Sequence, residues 1–309
     1  MSKGCRTINY LRISITDRCN FKCIYCKPIT PFKTIRHSEI ARYEEILTIA
    51  RIAVSTGIDK IRITGGEPFA RRGLFSFLEE LTRIPGLKDI SITTNGALLD
   101  DEKIKTLADL GIRRLNFSLD CLDPAIFKSI TGKNDLNHVL DVIHKAHASG
   151  ISPIKINAVI LKDINESQIE PLAGLTLDQP YHIRFIEYMP MGTPGNGTLT
   201  PVLHQEIQER ITRRYGELTP LERSRFDGPA QKFTLENAPG IIGFITPISS
   251  HFCDSCNRMR LTARGTLRPC LLNNHEVDIL GPLRNRADDS QLEKIFRQAL
   301  DEKPDKHGL

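Results

Sequence analysis

Short apolar runs recur along the chain, separated by longer stretches that read as helices. The runs lie at 11–15, 61–64, 90–93, 115–119, 154–160 and 183–188, each bounded by polar or turn-forming residues as strands are. The helical stretches include 39–55, 74–82, 101–110 and 136–149, several closed by a glycine such as Gly57, Gly111 or Gly150. Six strand–helix units predict an α/β fold, an incomplete (β/α)6 TIM-like barrel.

After Met189 the organisation changes. A Pro- and Gly-rich stretch, 190–197, leads to one more helical segment at 202–215. From about Phe226, Gly228, Pro229, Pro239, Gly240 and Gly243 punctuate short strand-like runs. At 309 residues the chain suits one large unit and a smaller one. The expected division is a core barrel over 1–225 and a small appended C-terminal domain over 226–309.

Successive side chains of a strand point to opposite faces. Leu11, Ile13 and Ile15 oppose Arg12 and Ser14, and Ile61 and Ile63 oppose Arg62 and Thr64. Leu115, Phe117 and Leu119 oppose Asn116 and Ser118, and Ile154 and Ile156 oppose Lys155 and Asn157. In a barrel the apolar faces meet the helices, so Arg12, Arg62 and Lys155 turn inward. Barrel interiors are normally filled by branched apolar side chains, and unpaired buried cations are costly. The lumen is therefore expected to hold an anionic ligand; the alternative is a solvated face of an ordinary sheet.

Charge and composition narrow the classes. The net charge of +5 is spread among acidic residues, which gives nucleic-acid binding little support. There is no run of about 18 apolar residues and no apolar segment in 1–10, so neither a membrane span nor a secretory signal is expected. That points to a cytoplasmic protein. Eight cysteines in a reducing compartment are better metal ligands or buried thiols than disulfides.

Cys19, Cys23 and Cys26 form CxxxCxxC, and Cys253, Cys256 and Cys270 form CxxC with a later third, while Cys5 and Cys121 stand alone as spare thiols. A cubane normally takes four thiolates, so each set leaves one metal position open for a ligand. The first set follows the first strand, at the carboxyl end where barrel active sites sit. Zinc is the alternative. His37 makes no familiar pair with the first set, whereas His251 or His275 would complete a zinc ribbon with the second.

CxxxCxxC enclosing Tyr25, followed by Gly65-Gly66-Glu67-Pro68 after the next strand, resembles the radical S-adenosylmethionine superfamily. More of the chain resembles one family within it, the GTP 3',8-cyclases of molybdenum cofactor biosynthesis. The likeness runs through LRISITDRCNFKCIYC at 11–26, IRITGGEP at 61–68, TTNG at 93–96, NFSLD at 116–120, PIKINAV at 153–159 and RFIEYMP at 184–190. It closes with GFITPISSHFCDSCNRMRLTARGTLRPCLL at 243–272, where CxxCNRxRL and a third cysteine mark the family.

The resemblance implies a lyase that converts GTP to 3',8-cyclo-7,8-dihydro-GTP, the first step of molybdenum cofactor biosynthesis, with two 4Fe–4S clusters and S-adenosylmethionine as cofactors. Cys19, Cys23 and Cys26 would ligate the cluster that cleaves S-adenosylmethionine, with Tyr25, Gly66, Ser118 and Met189 around that cofactor. Arg12, Arg62, Thr93, Lys155, Arg258, Met259 and Arg260 would contact GTP. Of these, Arg12, Arg258 and Arg260 would be catalytic, steadying the ring radical. Cys253, Cys256 and Cys270 would hold a second cluster whose open iron binds the base. An electron donor and the downstream enzyme that makes cyclic pyranopterin monophosphate are the implied partners; the oligomeric state stays open, a homodimer among the options.

Two positions depart from the family pattern. Lys27 stands where methionine usually follows the third cysteine, a change that binding should survive. The usual paired-glycine tail does not appear before His307-Gly308-Leu309, which leaves either impaired turnover or a tail not included in this sequence. The competing readings are a peptide-modifying radical enzyme, which usually carries more C-terminal cysteines, and a zinc-bearing interaction protein.

Overall fold

Alternating Ile, Leu and Phe with polar residues gives six parallel strands. They are β1 (Tyr10–Ser14), β2 (Lys60–Thr64), β3 (Asp89–Thr94), β4 (Arg114–Ser118), β5 (Lys155–Val159) and β6 (His182–Ile186), each hydrogen-bonded to the next. The structure, a computed structural model, describes residues 6–26, 34–189, 199–222 and 228–306. Cys5, Lys27, the whole 190–197 stretch, the expected domain boundary at 225/226 and the 307–309 end, on which expectations above rest, lie outside the described residues.

Helices α1 (Tyr43–Ser55), α2 (Leu74–Thr82), α3 (Asp101–Asp109), α4 (Pro124–Thr131), α5 (Leu136–Ala148) and α6 (Ile169–Asp178) connect the strands. Their starts are chemically defined. Asp100 accepts from the Lys103 amide at 2.9 Å to cap α3, and Asp123 accepts from Ala125 and Ile126 at 2.8 and 2.9 Å to cap α4. The helix expected at 39–55 begins at Tyr43, because His37–Glu39 winds into a separate 3-10 turn and Ile40 is extended.

The core lies between sheet and helices. Ile13, Ile63, Ile92, Leu115, Phe117 and Ile156 of the strands pack with Ile49, Leu78, Leu107, Val139 and Leu172 of the helices, all buried. Each contributes roughly 1.5–3 kcal/mol of burial. The apolar strand faces thus meet the helices, as alternation predicts, and the polar faces line the inside of an incomplete (β/α)6 TIM-like barrel.

The rest of the described chain is α7 (His204–Tyr215), β7 (Thr219–Leu221), β8 (Gln231–Thr234), β9 (Ile241–Ile245), β10 (Arg258–Leu261), β11 (Thr266–Arg268), β12 (Val277–Asp278), α8 (Leu280–Arg284) and α9 (Asp289–Asp301). It extends the sheet at both edges. β9 pairs parallel with β6 and β10 pairs parallel with β1, giving the order β12-β11-β10-β1-β2-β3-β4-β5-β6-β9-β8-β7 among the described strands. The C-terminal cysteine segment is therefore hydrogen-bonded directly beside the strand that leads into the first cysteine loop.

Candidate active site

The loop after β1 carries Cys19, Cys23 and Cys26, the last of them exposed. Amides of Lys22 and Ile24 donate to the Thr131 and Ile130 carbonyls at the end of α4, both at 3.0 Å. Tyr25 donates its hydroxyl to Asp120 at 2.6 Å, and Asn95 donates its side-chain amide to the Cys19 sulfur at 3.8 Å. Burial, then the charges of Asp120, Cys26 and Cys19, push the Cys23 thiol up. For three neighbouring thiols to ionise together a cationic centre is needed, and an iron cluster would supply one.

The glycine turn after β2 locks onto this loop. Gly66 donates to the Thr16 carbonyl at 2.7 Å and Glu67 to the Arg18 carbonyl at 2.8 Å. A Cβ on Gly65 would lie 2.6 Å from the Thr16 oxygen, and one on Gly66 would collide with the Arg18 carbonyl. Only glycine permits that approach. The buried Glu67 carboxylate accepts from Thr94 Oγ1 at 2.8 Å and from the Asn95 amide at 2.7 Å. Ser118 closes β4 at the same carboxyl end of the sheet.

Register builds the inner floor. Arg260 on β10 stands opposite Arg12 on β1, which stands opposite Arg62 on β2. Neighbouring like charges oppose one another across strands. Burial first, then Arg62 and Arg258, bring Arg12 down to about 10 despite Tyr10; burial, Arg12 and Arg258 likewise lower Arg260. Burial and the neighbouring Arg184, Arg114, Arg62 and Lys60 bring Lys155 down to about 6. The Arg260, Arg12 and Arg62 row is a stack of cations, a setting that suits an anion.

A cavity joins this floor to the second cysteine set. Arg12, Arg62, Thr93, Met189, Arg258 and Arg260 line it together with Cys253, Cys256 and Cys270. Burial works against the Cys256 thiolate, but Arg258 and Lys303 outweigh it and bring the thiol down to about 6. Tyr10 Oη and Thr93 Oγ1 are buried without a hydrogen-bond partner, so the cavity offers polar atoms to a ligand.

Tyr25, Gly66 and Ser118 belong to the first cysteine loop and the strand ends near it rather than to this lining. Lys155 lies below it, buried. Met259 turns to the other face of β10 and packs in the core beside Leu11, so only its main chain faces the site. His275 pairs with Glu302 at 2.6 Å, and among the described residues no group of three or more His, Cys, Asp or Glu side chains closes around a single ion. A cubane spreads its thiolates over separate irons, which suits the open triads.

The lining also includes Tyr10, Asn157, Arg184, Phe252 and Lys303, which the sequence reading does not single out as ligands. Arg184 alternates with Ile183 and Phe185 on β6 as Arg12 does on β1, so splitting that strand by face would have found it. Lys303, beyond α9, carries no such signal.

A partial barrel, three thiols after its first strand and a glycine turn after its second define the radical S-adenosylmethionine class. The Radical SAM superfamily profile matches residues 13–176, and that of Molybdenum Cofactor Synthesis C matches 181–309. Streptococcus suis SuiB bound to S-adenosylmethionine shares the fold at a TM-score of 0.64 and 18% identity, over 94% of this chain and 68% of that one. Methylornithine synthase shares it at a TM-score of 0.53 and 18% identity, over 69% of this chain and 64% of that one. The GTP 3',8-cyclase of Moorella thermoacetica is 46% identical over 98% of this chain and 94% of the relative, and that of Geobacter sulfurreducens 42% over 98% and 92%. The chain belongs to the GTP 3',8-cyclase family.

Proposed function

We propose that this chain catalyses the conversion of GTP to 3',8-cyclo-7,8-dihydro-GTP, the first step of molybdenum cofactor biosynthesis. The observation that carries this reading is the Arg260, Arg12 and Arg62 row facing a cavity whose other wall holds Cys253, Cys256 and Cys270. Its cofactors are S-adenosylmethionine and two 4Fe–4S clusters. Cys19, Cys23 and Cys26 would hold the first cluster and Cys253, Cys256 and Cys270 the second. When bound, the first cluster with S-adenosylmethionine supplies the carbon radical that starts the reaction at the ribose.

The chain's own residues bind and orient. Arg12, Arg62, Arg258 and Arg260, with Lys155 beneath, would hold the triphosphate, since guanidiniums meet phosphate oxygens in charge-assisted and often bidentate pairs. Arg12, Arg258 and Arg260 would also stabilise charge developing on the reacting ring, while Thr93 and the main chain at Met259 complete the GTP contacts. Tyr25, Gly66, Ser118 and Met189 would seat S-adenosylmethionine. Residues 1–225 would act as the core barrel and 226–309 as the cluster and nucleotide domain, the first cysteine set falling wholly in the former and the second wholly in the latter.

This reading brings a reductant for the first cluster, a downstream enzyme that receives the product to form cyclic pyranopterin monophosphate, and a cytoplasmic location suited to thiols kept for metal. Among the described residues no helix is long and apolar enough to cross a membrane. Anaerobic incubation with GTP, S-adenosylmethionine and a strong reductant is expected to yield 5'-deoxyadenosine and the cyclised nucleotide. Fully clustered protein that yields neither overturns the assignment.

A further inference from the structure

Arg6 and Lys303 come from opposite ends of the described chain and meet behind the second cysteine set. Lys303 Nζ donates to the Pro269 carbonyl at 2.8 Å, one residue before Cys270, and to the Arg258 carbonyl at 2.7 Å, two residues after Cys256. Arg6 donates to the Cys253 carbonyl at 2.8 Å and, with its other terminal nitrogen, to the Lys303 and Pro304 carbonyls at 3.2 and 2.6 Å. Two side chains thus tie together the two segments that carry the second set, the turn with Cys253 and Cys256 and the loop with Cys270.

Lys303 is half-buried and lines the cavity beside those sulfurs. Around it stand the Cys256 and Cys270 thiols and the guanidiniums of Arg260 and Arg6, and no carboxylate among the described residues makes a salt bridge with it. A half-buried ammonium without a carboxylate partner draws its counter-charge from the neighbouring sulfurs. Thiolates on a cluster provide one.

We propose that Lys303, held in place by Arg6, is a positioning residue for the second cluster, fixing the Cys256 and Cys270 segments and laying one positive charge against their sulfurs. This rests on the reading that the second triad holds a cluster. Outer contacts orient metal ligands, and nearby charge sets a cluster's reduction potential. A cation beside the thiolates favours the reduced, more negative state. Removing it lowers the potential.

The test is a redox titration of the anaerobically reconstituted holoenzyme followed by electron spin resonance, in wild type, Lys303→Met and Lys303→Arg. The signal that changes on adding GTP reports the second cluster, and the other is an internal reference. Lys303→Met is expected to keep its iron and shift the second midpoint to more negative potential while the first stays put; Lys303→Arg keeps the wild-type value. An unmoved second midpoint in Lys303→Met overturns the proposal. Should Lys303→Met lose half its iron, Lys303→Arg decides: restored iron supports the clamp, and iron still missing overturns it. Wild-type protein that takes up only one cluster marks the failure of the parent reading, and this proposal falls with it.

Discussion

The Tyr25 hydroxyl donates to Asp120 Oδ2 at 2.6 Å, joining the first cysteine loop to the residue two beyond β4. The other Asp120 oxygen accepts from the Val159 amide at 2.9 Å, so one carboxylate links the loop to two strand ends. Burial pushes Asp120 up to about 6 against both bonds. Tyr25→Phe removes one donor from a buried carboxylate and is expected to destabilise the apo chain by about 1–3 kcal/mol, read from urea unfolding. An unchanged unfolding midpoint would show the bond idle.

The arginine row has opposite effects on stability and on binding. Arg260, Arg12 and Arg62 stand side by side across neighbouring strands, so Arg12→Ala relieves like-charge repulsion whenever no anion is bound. Its thermal midpoint is expected to hold or rise while GTP binding by equilibrium dialysis weakens at least tenfold, about 1.4 kcal/mol. Arg260→Ala should keep full cluster content yet block cyclisation. Normal turnover in that variant would remove Arg260 from the GTP site.

Asn95 links the glycine turn to the first cysteine loop, the one through its main chain and the other through its side chain. Its main-chain amide is held by Glu67 of the glycine turn at 2.7 Å, and its side-chain amide reaches both Asn20 Oδ1 at 2.8 Å and the Cys19 sulfur at 3.8 Å. Hydrogen bonds to cluster sulfurs raise reduction potential. Asn95→Ala is therefore expected to shift the first cluster to more negative potential and slow S-adenosylmethionine cleavage. A first-cluster midpoint equal to wild type would sink this role.

Much of the barrel is legible because strand alternation is a local property. Arg12 between Leu11 and Ile13, or Arg62 between Ile61 and Ile63, declares its face from two neighbours. The short helix α4 and the helix α6 are harder to see. Pro124 opens the first and Pro171 sits within the first turn of the second, where proline is tolerated but masks the pattern. Register is not local at all: that Arg260 stands beside Arg12 depends on β10 returning across most of the chain to pair with β1. For the same reason the Arg6 and Lys303 contacts leave no trace in spacing. The resemblance to the family finds ligands by motif, whereas side-chain direction at Met259 follows from the strand.

Acid stability offers the last test, because Glu45 and Asp120 act in opposite directions. Glu45, buried on α1, accepts from Arg284 Nε at 2.9 Å and from the Arg42 amide at 2.7 Å. Burial opposes its charge, but the bonds from Arg284 and Arg42 outweigh it and bring the carboxyl from 4.5 down to about 2. Between those values the unfolded chain binds a proton that the folded chain does not, so stability rises with pH; this contribution is full above 4.5 and lost as pH falls through 2. The shift corresponds to roughly 3 kcal/mol. Asp120 has the reverse sign, since its folded value of about 6 exceeds 3.8 and its contribution is lost as pH rises through that window. Urea unfolding of the apo chain across pH 2–7 is expected to show Glu45→Gln losing the low-pH limb along with about 2–3 kcal/mol at pH 7, and Asp120→Asn losing the decline between about 4 and 6. Parallel curves for Glu45→Gln and wild type would show that Arg284 and Arg42 do not hold that carboxylate.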